Sequence, residues 1–183
     1  WAASTSLGVK LADIGSVSFN IERKTAEFRQ VTDGVSNFKS QTTSWSVATS
    51  LAADKFLSED RVVQIPISFA HSEVVDQPKY VSGSDVLLEK AGELAGDQKD
   101  SLIDVNRSIT VNNTFALSSL KKVTQSDNML IATTIDRLSL DYSYTKSFSR
   151  NPQTEWSKAW SWSSKVDYSY TFKPDFFVQP FFY

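Results

Sequence analysis

The chain has 183 residues, of which 40 % are hydrophobic and 22 % are charged, and its formal net charge at pH 7 is −2. It contains no Cys and one His, which excludes a disulfide scaffold, a thiolate metal site, a Cys nucleophile and a multi-histidine metal cluster. The charge balance excludes a basic nucleic-acid-binding domain. The 28 Ser, 14 Thr, 12 Phe, 6 Tyr and 5 Trp residues are an unusual mixture for a globular enzyme.

Apolar and small polar residues alternate with period two in six segments, which predicts six β-strands. A weaker seventh candidate covers residues 7–11, and its phase is lost over residues 13–15 as at a bulge or a bend. In chain order, the apolar sides of the six strands are Val17, Phe19, Ile21; Trp45, Val47, Leu51; Val63, Ile65, Ile67, Phe69; Ile109, Val111, Phe115, Leu117; Leu138, Leu140, Tyr142, Tyr144, Phe148; and Trp156, Trp160, Trp162, Val166, Tyr168, Tyr170, Phe172.

The polar side of the last two strands consists almost entirely of small hydroxylated residues. Its members are Ser139, Asp141, Ser143, Thr145, Ser157, Ser161, Ser163, Asp167, Ser169 and Thr171. One face of these strands is therefore aromatic, and the opposite face is small and polar.

The connections between the strands differ in length. Residues 32–40 form a polar loop, and residues 58–61 and 150–154 form short turns, the second with Asn-Pro as the strand breaker. A long loop runs from about residue 72 to residue 106. Within it, Ser84 is a candidate N-cap for one short helix, because Leu87, Leu88, Ala91, Leu94 and Ala95 follow a helical spacing.

Two environments suit such strands: the core of a soluble β-sandwich, and lipid on the outside of a transmembrane barrel with a polar lumen. Three features favour the membrane. The strands are long enough for a bilayer, which takes about 9–11 tilted residues. Trp and Tyr prefer the membrane interface, and the polar side is Ser and Thr instead of Lys and Glu. We therefore predict an antiparallel transmembrane β-barrel sector with lipid-facing apolar residues and lumen-facing polar residues.

The chain offers little chemistry. His71 continues an apolar strand face, is placed by the alternation at a strand end, and has no positioned nucleophile or acid beside it. Asp97, Asp100 and Asp104 lack the spacing of a Ca²⁺ loop, and no Walker, GxSxG or HExxH motif occurs. The sequence predicts a protein that is not an enzyme and has no catalytic residue, cofactor or metal.

Several segments, in this order, resemble the SprA/Sov family, the outer-membrane translocon of type IX secretion. LADIGSVS at residues 11–18 resembles a LADLGNVS pattern, and IPISFAHSE at 65–73 followed by QPKY at 77–80 resembles IPVxFxYSE…PxY. IDRLSLDYSY at 135–144 resembles IENxSxxYSYSE, and RNPQTE at 150–155 is similar to RNxxTEY. The resemblance covers about residues 10–180. His71 departs from the usual aromatic, and residues 82–99 match nothing in the family.

The resemblance implies a sector of a very large barrel in the bacterial outer membrane, at the cell surface, that exports folded cargo proteins and supports gliding motility in some members. The largest known barrels have about 36 strands. The implied partners are outer-membrane lipid, secreted cargo, a plug protein and an isomerase-like accessory protein, with no nucleic acid. The wall would act as a passive pore without chemistry.

We therefore expect residues 1–183 to be a fragment of a larger outer-membrane barrel, with the loop over residues 72–106 as its main irregular part. If the 58–61 turn is periplasmic, alternation places this loop and the 150–154 turn outside. Two alternatives remain. One is a small complete outer-membrane barrel for adhesion or solute passage, and the other is a soluble β-sandwich that binds ligands at the cell surface.

Overall fold

A computed structural model describes residues 1–26, 40–57 and 62–171. The predicted 58–61 turn, residues 32–39 of the predicted polar loop and the lipid-facing Phe172 lie outside the described residues. The strands are β1 (Ala2–Leu11), β2 (Gly15–Lys24), β3 (Ser40–Ala52), β4 (Val63–Gln64), β5 (Pro66–Pro78), β6 (Ser108–Lys122), β7 (Leu138–Asn151) and β8 (Thr154–Tyr168). The helices are α1 (Leu88–Ala95), α2 (Lys99–Asn106) and α3 (Met129–Thr133), and single 3₁₀ turns cover Ala53–Phe56, Gly96–Gln98 and Ile135–Arg137.

All described strands belong to one antiparallel sheet with the order β1-β2-β3-β5-β6-β7-β8, and the two-residue β4 pairs with the end of β6. The prediction of an antiparallel meander of six or seven long strands is confirmed. Within the described residues, β1 and β8 each pair with one strand, so the sheet is open. No second sheet packs on it in the part of the chain that the structure describes.

The alternation of each strand is in phase with the alternation of its neighbours. Directly paired residues share a face, so a slip of one residue would turn every side chain to the other side. One row of paired residues crosses the seven long strands through Val9, Val17, Thr49, Phe69, Phe115, Tyr144 and Trp162. We call the side of the sheet that carries this row the apolar face, and the opposite side the polar face.

A bulge in β6 keeps this division intact. The pairing with β7 shifts between Leu117 and Leu120, and Ser119 has a φ of 55°. Its N–H donates to Oδ1 of Asp141 at 2.6 Å. Because two Ser residues separate the two leucines, only a register shift lets both leucines lie on the apolar face, where Leu120 pairs with Leu140.

The predicted bulge or bend over residues 13–15 is wrong, because the chain reverses there. The turn between β1 and β2 has Ala12 at φ 49°, and the N–H of Ile14 donates to the carbonyl oxygen of Leu11 at 2.9 Å. A Cβ on Gly15 would lie 2.1 Å from the carbonyl oxygen of Ser50 in β3. Gly15 therefore lets β2 begin directly against β3, and β1 is a full strand paired along its length.

The predicted loop over residues 72–106 is wrong at its start, because β5 continues to Pro78. Two neighbouring valines, Val74 and Val75, interrupt the alternation there and hide the strand from a period-two reading. The remaining segment, residues 79–107, contains two helices instead of one, and we call it the helical connection. Ser84 does not cap α1, which begins at Leu88; its hydroxyl oxygen accepts a hydrogen bond from the N–H of Val86 at 3.1 Å.

The helical connection holds the chain's small buried cluster. Among the described residues, Leu88 is the one fully buried hydrophobic side chain, with 1 % of its surface exposed. Asn106 is also buried; its Oδ1 accepts from the N–H of Ser82 at 2.8 Å, and its Nδ2 donates to the carbonyl oxygen of Leu102 at 2.9 Å. A buried amide with both sides satisfied stabilises the connection instead of straining it.

The connections divide the sheet into two ends. At the Ala12 end lie the β1–β2 turn, residues 53–57, residues 62–65 and residues 123–137. At the Pro152 end lie the helical connection and the two-residue turn between β7 and β8, where Oδ1 of Asn151 accepts from the N–H groups of Gln153 and Thr154 at 2.9 and 2.8 Å. The predicted Asn-Pro turn is confirmed.

None of the helices in residues 1–26, 40–57 and 62–171 is long and apolar enough to cross a membrane.

Candidate functional site

The strand registers bring the predicted lipid-facing residues of different strands onto one face. Of those within long strands, every residue from Val17 in β2 to Tyr168 in β8 lies on the apolar face by direct pairing or by alternation with a paired neighbour. Val63 in β4 pairs with Lys122 and shares this face. Ile65 and Tyr170 lie just outside strands. Contact of these residues with lipid stays a prediction.

Three further residues of this face were missed in the sequence. Leu7, Val9 and Leu11 in β1 pair with Phe19, Val17 and Gly15 of β2. Their alternation is as regular as that of the other strands, but it spans only five residues before the turn. The signal was therefore present, and the supposed loss of phase after Leu11 concealed it.

The apolar face is open to its surroundings. The exposed fractions of Trp160, Val166 and Leu7 are 68 %, 62 % and 61 %. Monomeric soluble proteins rarely leave an apolar patch of more than a few hundred Å² uncovered, and this face extends over seven strands. The face therefore requires lipid or another protein layer as its environment.

The predicted lumen-facing residues of β7 and β8 all lie on the polar face, and Ser169 and Thr171 follow directly after β8. Hydroxyl groups bridge neighbouring strands along this face. The bridges are Ser16–Ser50 at 2.8 Å, Thr42–Asp76 at 2.6 Å, Thr114–Thr145 at 3.3 Å and Ser143–Ser163 at 2.8 Å. These paired hydroxyl groups leave a polar surface on which small side chains predominate.

A depression of about 500 Å³ lies across β1, β2, β3 and β5. Most of its lining residues belong to the polar face, among them Ser4, Asn20, Ser46 and Ser72.

One polar cluster interrupts the apolar face in the middle of the sheet. The prediction that His71 lies at a strand end is wrong, because β5 continues for seven residues beyond it. Its Nδ1 lies 2.7 Å from Oδ1 of Asn113, and its ring centroid is 4.6 Å from that of Trp45. Trp45 Nε1 donates to Oε2 of Glu73 at 3.1 Å. These partly buried polar groups therefore have hydrogen-bond partners in one another.

Charged groups at the Pro152 end join the helical connection to the sheet. Asp104 in α2 accepts from Nη2 of Arg107 at 2.5 Å and from Nη2 of Arg150 in β7 at 2.6 Å. The hydrogen bond from Arg150 is the main reason that the pKa of Asp104 lies below its ordinary value, with Arg107 adding to the effect against partial desolvation. Asp104 is therefore a carboxylate at every physiological pH.

At the Ala12 end, a second ion pair holds the segment over residues 123–137 against the end of β6. Lys122 Nζ donates to Oδ1 of Asp136 at 2.8 Å, and Ser126 donates its N–H to Oδ2 at 2.6 Å. The hydrogen bond from Lys122 chiefly lowers the pKa of Asp136. Across residues 1–26, 40–57 and 62–171, no three His, Asp or Glu side chains come close enough together to hold a metal ion.

The family model SprA_N, described as a motility related/secretion protein, matches residues 1–91, which include β1 to β5 and the start of α1. None of the curated proteins matches the chain.

Proposed function

This chain belongs to the SprA family of motility and secretion proteins, and we propose that its sheet is a sector of the wall of an outer-membrane β-barrel through which secreted proteins pass. Lipid covers the apolar face in this proposal, and the polar face lines a water-filled passage. The wall performs no chemistry, and it needs neither catalytic residues nor a cofactor. The observation that carries the proposal is the division of a single seven-strand layer into one largely apolar face and one hydroxylated face.

Strand dimensions support this placement. The long strands have 10 to 15 residues, and a tilted strand needs about 9–11 residues to cross a bilayer. Backbone groups within the membrane must be paired inside the protein. The ladders of the meander pair them in every strand except at the outer edges of β1 and β8, where further strands of the barrel wall would continue the sheet.

The hydroxylated face suits the passage of folded proteins. Ser and Thr side chains keep a water layer in place, and those bonded to each other across strands offer few free groups to a passing surface. Small side chains predominate on this face, and the charged ones among them, such as Glu22, Asp141 and Lys165, are of both signs. The partners proposed are those that the resemblance implies: secreted cargo on the polar face, and a plug protein and an isomerase-like protein elsewhere in the assembly.

Alternate-residue labelling tests the proposal. Because the chain has no Cys, a fluorophore can be attached at Phe115→Cys or Tyr144→Cys on the apolar face, and at Thr114→Cys or Thr145→Cys on the polar face. In vesicles containing brominated acyl chains, we expect strong quenching of the first pair and little quenching of the second. Aqueous iodide should give the reverse pattern. Equal quenching of both pairs by iodide, with none by lipid, would contradict the proposal.

A crosslinking experiment tests the passage itself. A photoreactive residue at Ser143 or Ser163 should crosslink to secreted cargo in cells that are exporting protein. The same residue at Tyr142 or Trp162, one position away and on the apolar face, should not. Crosslinks to cargo from the apolar positions alone would place the passage on the wrong side of the sheet.

A further inference from the structure

We propose that the border of the apolar face at the Pro152 end binds the anionic phosphate headgroup of an outer-membrane lipid through Lys146 and Lys158. This inference rests on the proposed function, because it assumes that lipid covers the apolar face. Beyond that function, it identifies the end of the sheet and the side chains that recognise the lipid headgroup.

The charges on this face of β7 and β8 are all at one end. Toward the Ala12 end, the side chains from Leu138 to Tyr144 and from Trp162 to Tyr168 that share the face are uncharged. Toward the Pro152 end, the same two strands carry Lys146, Arg150 and Lys158 on this face, and the register shift between Ser149 and Asn151 places Glu155 next to Arg150 at the very end of the strands. This asymmetry produces an apolar band that ends abruptly at a cationic border.

The two lysines are placed to meet one anion. Lys146 pairs directly with Trp160, and Lys158 pairs with Phe148, so the lysines are diagonal neighbours on one face of an antiparallel pair. Such neighbours lie about 7–8 Å apart at the backbone. Both side chains are exposed, and four-carbon stems let their ammonium groups converge on a phosphate between them or extend toward water from an apolar surface.

Exposed tryptophans lie beside these lysines. The exposed fractions of Trp156 and Trp160 are 59 % and 68 %, and Nζ of Lys158 is 5.2 Å from the ring centroid of Trp156. Trp prefers the level of the headgroups, where the ring is half in the acyl region and half in water. From Trp160 to Tyr168 the strand has nine residues, about the length that crosses a bilayer, so this border falls at the headgroup level.

The charge of Arg150 is compensated by its neighbours and does not belong to this site. Arg107 and Arg150 share the carboxylate of Asp104. Glu155 lines a cavity of about 350 Å³ together with these three residues, so the charges around the cavity balance. The positive charge that remains at the Pro152 end of this face is that of Lys146 and Lys158.

A phospholipid complements this surface better than other anions do. Its acyl chains extend over the apolar band toward Tyr144 and Trp162, while its phosphate lies over the lysines. A soluble anion would use only the second contact. Each Lys or Arg near an anionic membrane contributes about 1 kcal/mol, a factor of about five in binding.

The test compares lipids retained by the protein. The protein is reconstituted with equal phosphatidylglycerol and phosphatidylcholine, extracted in mild detergent, and its bound lipids are counted by mass spectrometry. We expect the unmodified protein to retain phosphatidylglycerol preferentially. Lys146→Gln with Lys158→Gln should reduce this preference about fivefold for each lysine removed, and Lys146→Arg with Lys158→Arg should restore it. Lys90→Gln with Lys99→Gln, in the helical connection at the same end, is the matched control and should change nothing.

The outcomes separate this inference from the proposed function. If the preference is absent, or unchanged in the Lys146→Gln, Lys158→Gln protein, the headgroup site is wrong. Brominated acyl chains will still quench a fluorophore at Phe115→Cys if lipid covers the face. If that quenching is also missing, the proposed function fails as well. Inorganic phosphate is added at constant ionic strength as a last arm, and loss of the preference there would show a general phosphate site and overturn the lipid assignment.

Discussion

The helical connection and the sheet are stabilised in different ways, although they are parts of one chain. The connection buries Leu88 and satisfies a buried amide at Asn106 within its own residues. The sheet has continuous hydrogen-bonded ladders, but its large side chains, such as Trp160, remain exposed. The connection therefore contains its own apolar contacts, whereas the sheet depends on its surroundings for them.

The environment is therefore part of what determines the fold of the sheet. Burial of apolar surface contributes about 25 cal/mol per Å², and a single layer buries little of it against itself. Lipid would supply that burial on the apolar face. Substitutions in the connection should then act in the same way in any solvent, whereas substitutions in the sheet should depend on whether a bilayer is present.

The largest effect is expected from a charge at the centre of the apolar face. Phe115→Arg places a cation in the row that crosses all seven long strands. In a bilayer it should destabilise the protein by about 4 kcal/mol, from the cost of a cation near the midplane and the loss of the aromatic ring. Denaturant unfolding in lipid vesicles measures this change.

The matched control is Asn112→Arg in the same strand, on the polar face, where we expect a change below about 1 kcal/mol because the new side chain reaches water. A loss of unfolding free energy that is several times larger for Phe115→Arg than for Asn112→Arg would show that the two faces lie in different environments. Equal, small losses for both variants would mean that water bathes both faces.

The next effect concerns the connection. Leu88→Ala should destabilise it by about 3 kcal/mol, since a fully buried leucine loses its contacts and leaves a cavity. Hydrogen exchange should accelerate in α1 and α2 while the strands keep their protection. Leu94→Ala is the control, because Leu94 is 88 % exposed in the same helix. Loss of protection throughout β5 and β6 would show that the helical connection and the sheet unfold as one unit, and would contradict their separate stabilisation.

The sequence predicted the sheet better than the connection for a physical reason. Side chains that alternate between two environments leave a period-two record, and residues 138–149 and 156–168 show it plainly. The division of β7 and β8 into two faces followed directly from that record. Val74 and Val75 break it, so the pattern assigns the end of β5 to a loop. The helical spacing from Leu87 to Ala95 predicts α1, but it does not reveal α2, which follows the turn at Gly96–Gln98.

Neither the polar cluster nor the cationic border was predicted from the sequence. Trp45, His71 and Asn113 are distant along the chain, and only the strand registers bring them together. Lys146 and Lys158 are likewise single interruptions of two separate apolar patterns. Alternation assigns a residue to a face, but it does not reveal which residues of other strands lie beside it. Only the registers of the paired strands show which residues of different strands are neighbours.

A smaller effect is expected where β2 meets β3. Gly15→Ala places a Cβ 2.1 Å from the carbonyl oxygen of Ser50, so one strand must move. We expect a loss of about 2 kcal/mol from this overpacking. Gly8→Ala in β1 is the control, because nothing lies within 4 Å of a Cβ there, and it should be neutral or slightly stabilising. Similar results for both variants would contradict the close approach at the turn.

The smallest effect is a pH dependence at the junction of the two regions. Arg150 and Arg107 lower the pKa of Asp104 below its ordinary value of 3.8, so the charged carboxylate is favoured in the folded protein. Its contribution is present above pH 3.8 and is lost as the pH falls through the lowered pKa. Because the carboxyl is 41 % exposed, solvent screening limits the effect to about 0.5 kcal/mol. The protection of the α2 amides from hydrogen exchange, relative to an unfolded chain at the same pH, should therefore decrease slightly below pH 3.8. Asp104→Asn should show this reduced protection at neutral pH and no further step in acid, and an identical acid step in that variant would assign the titration to another group.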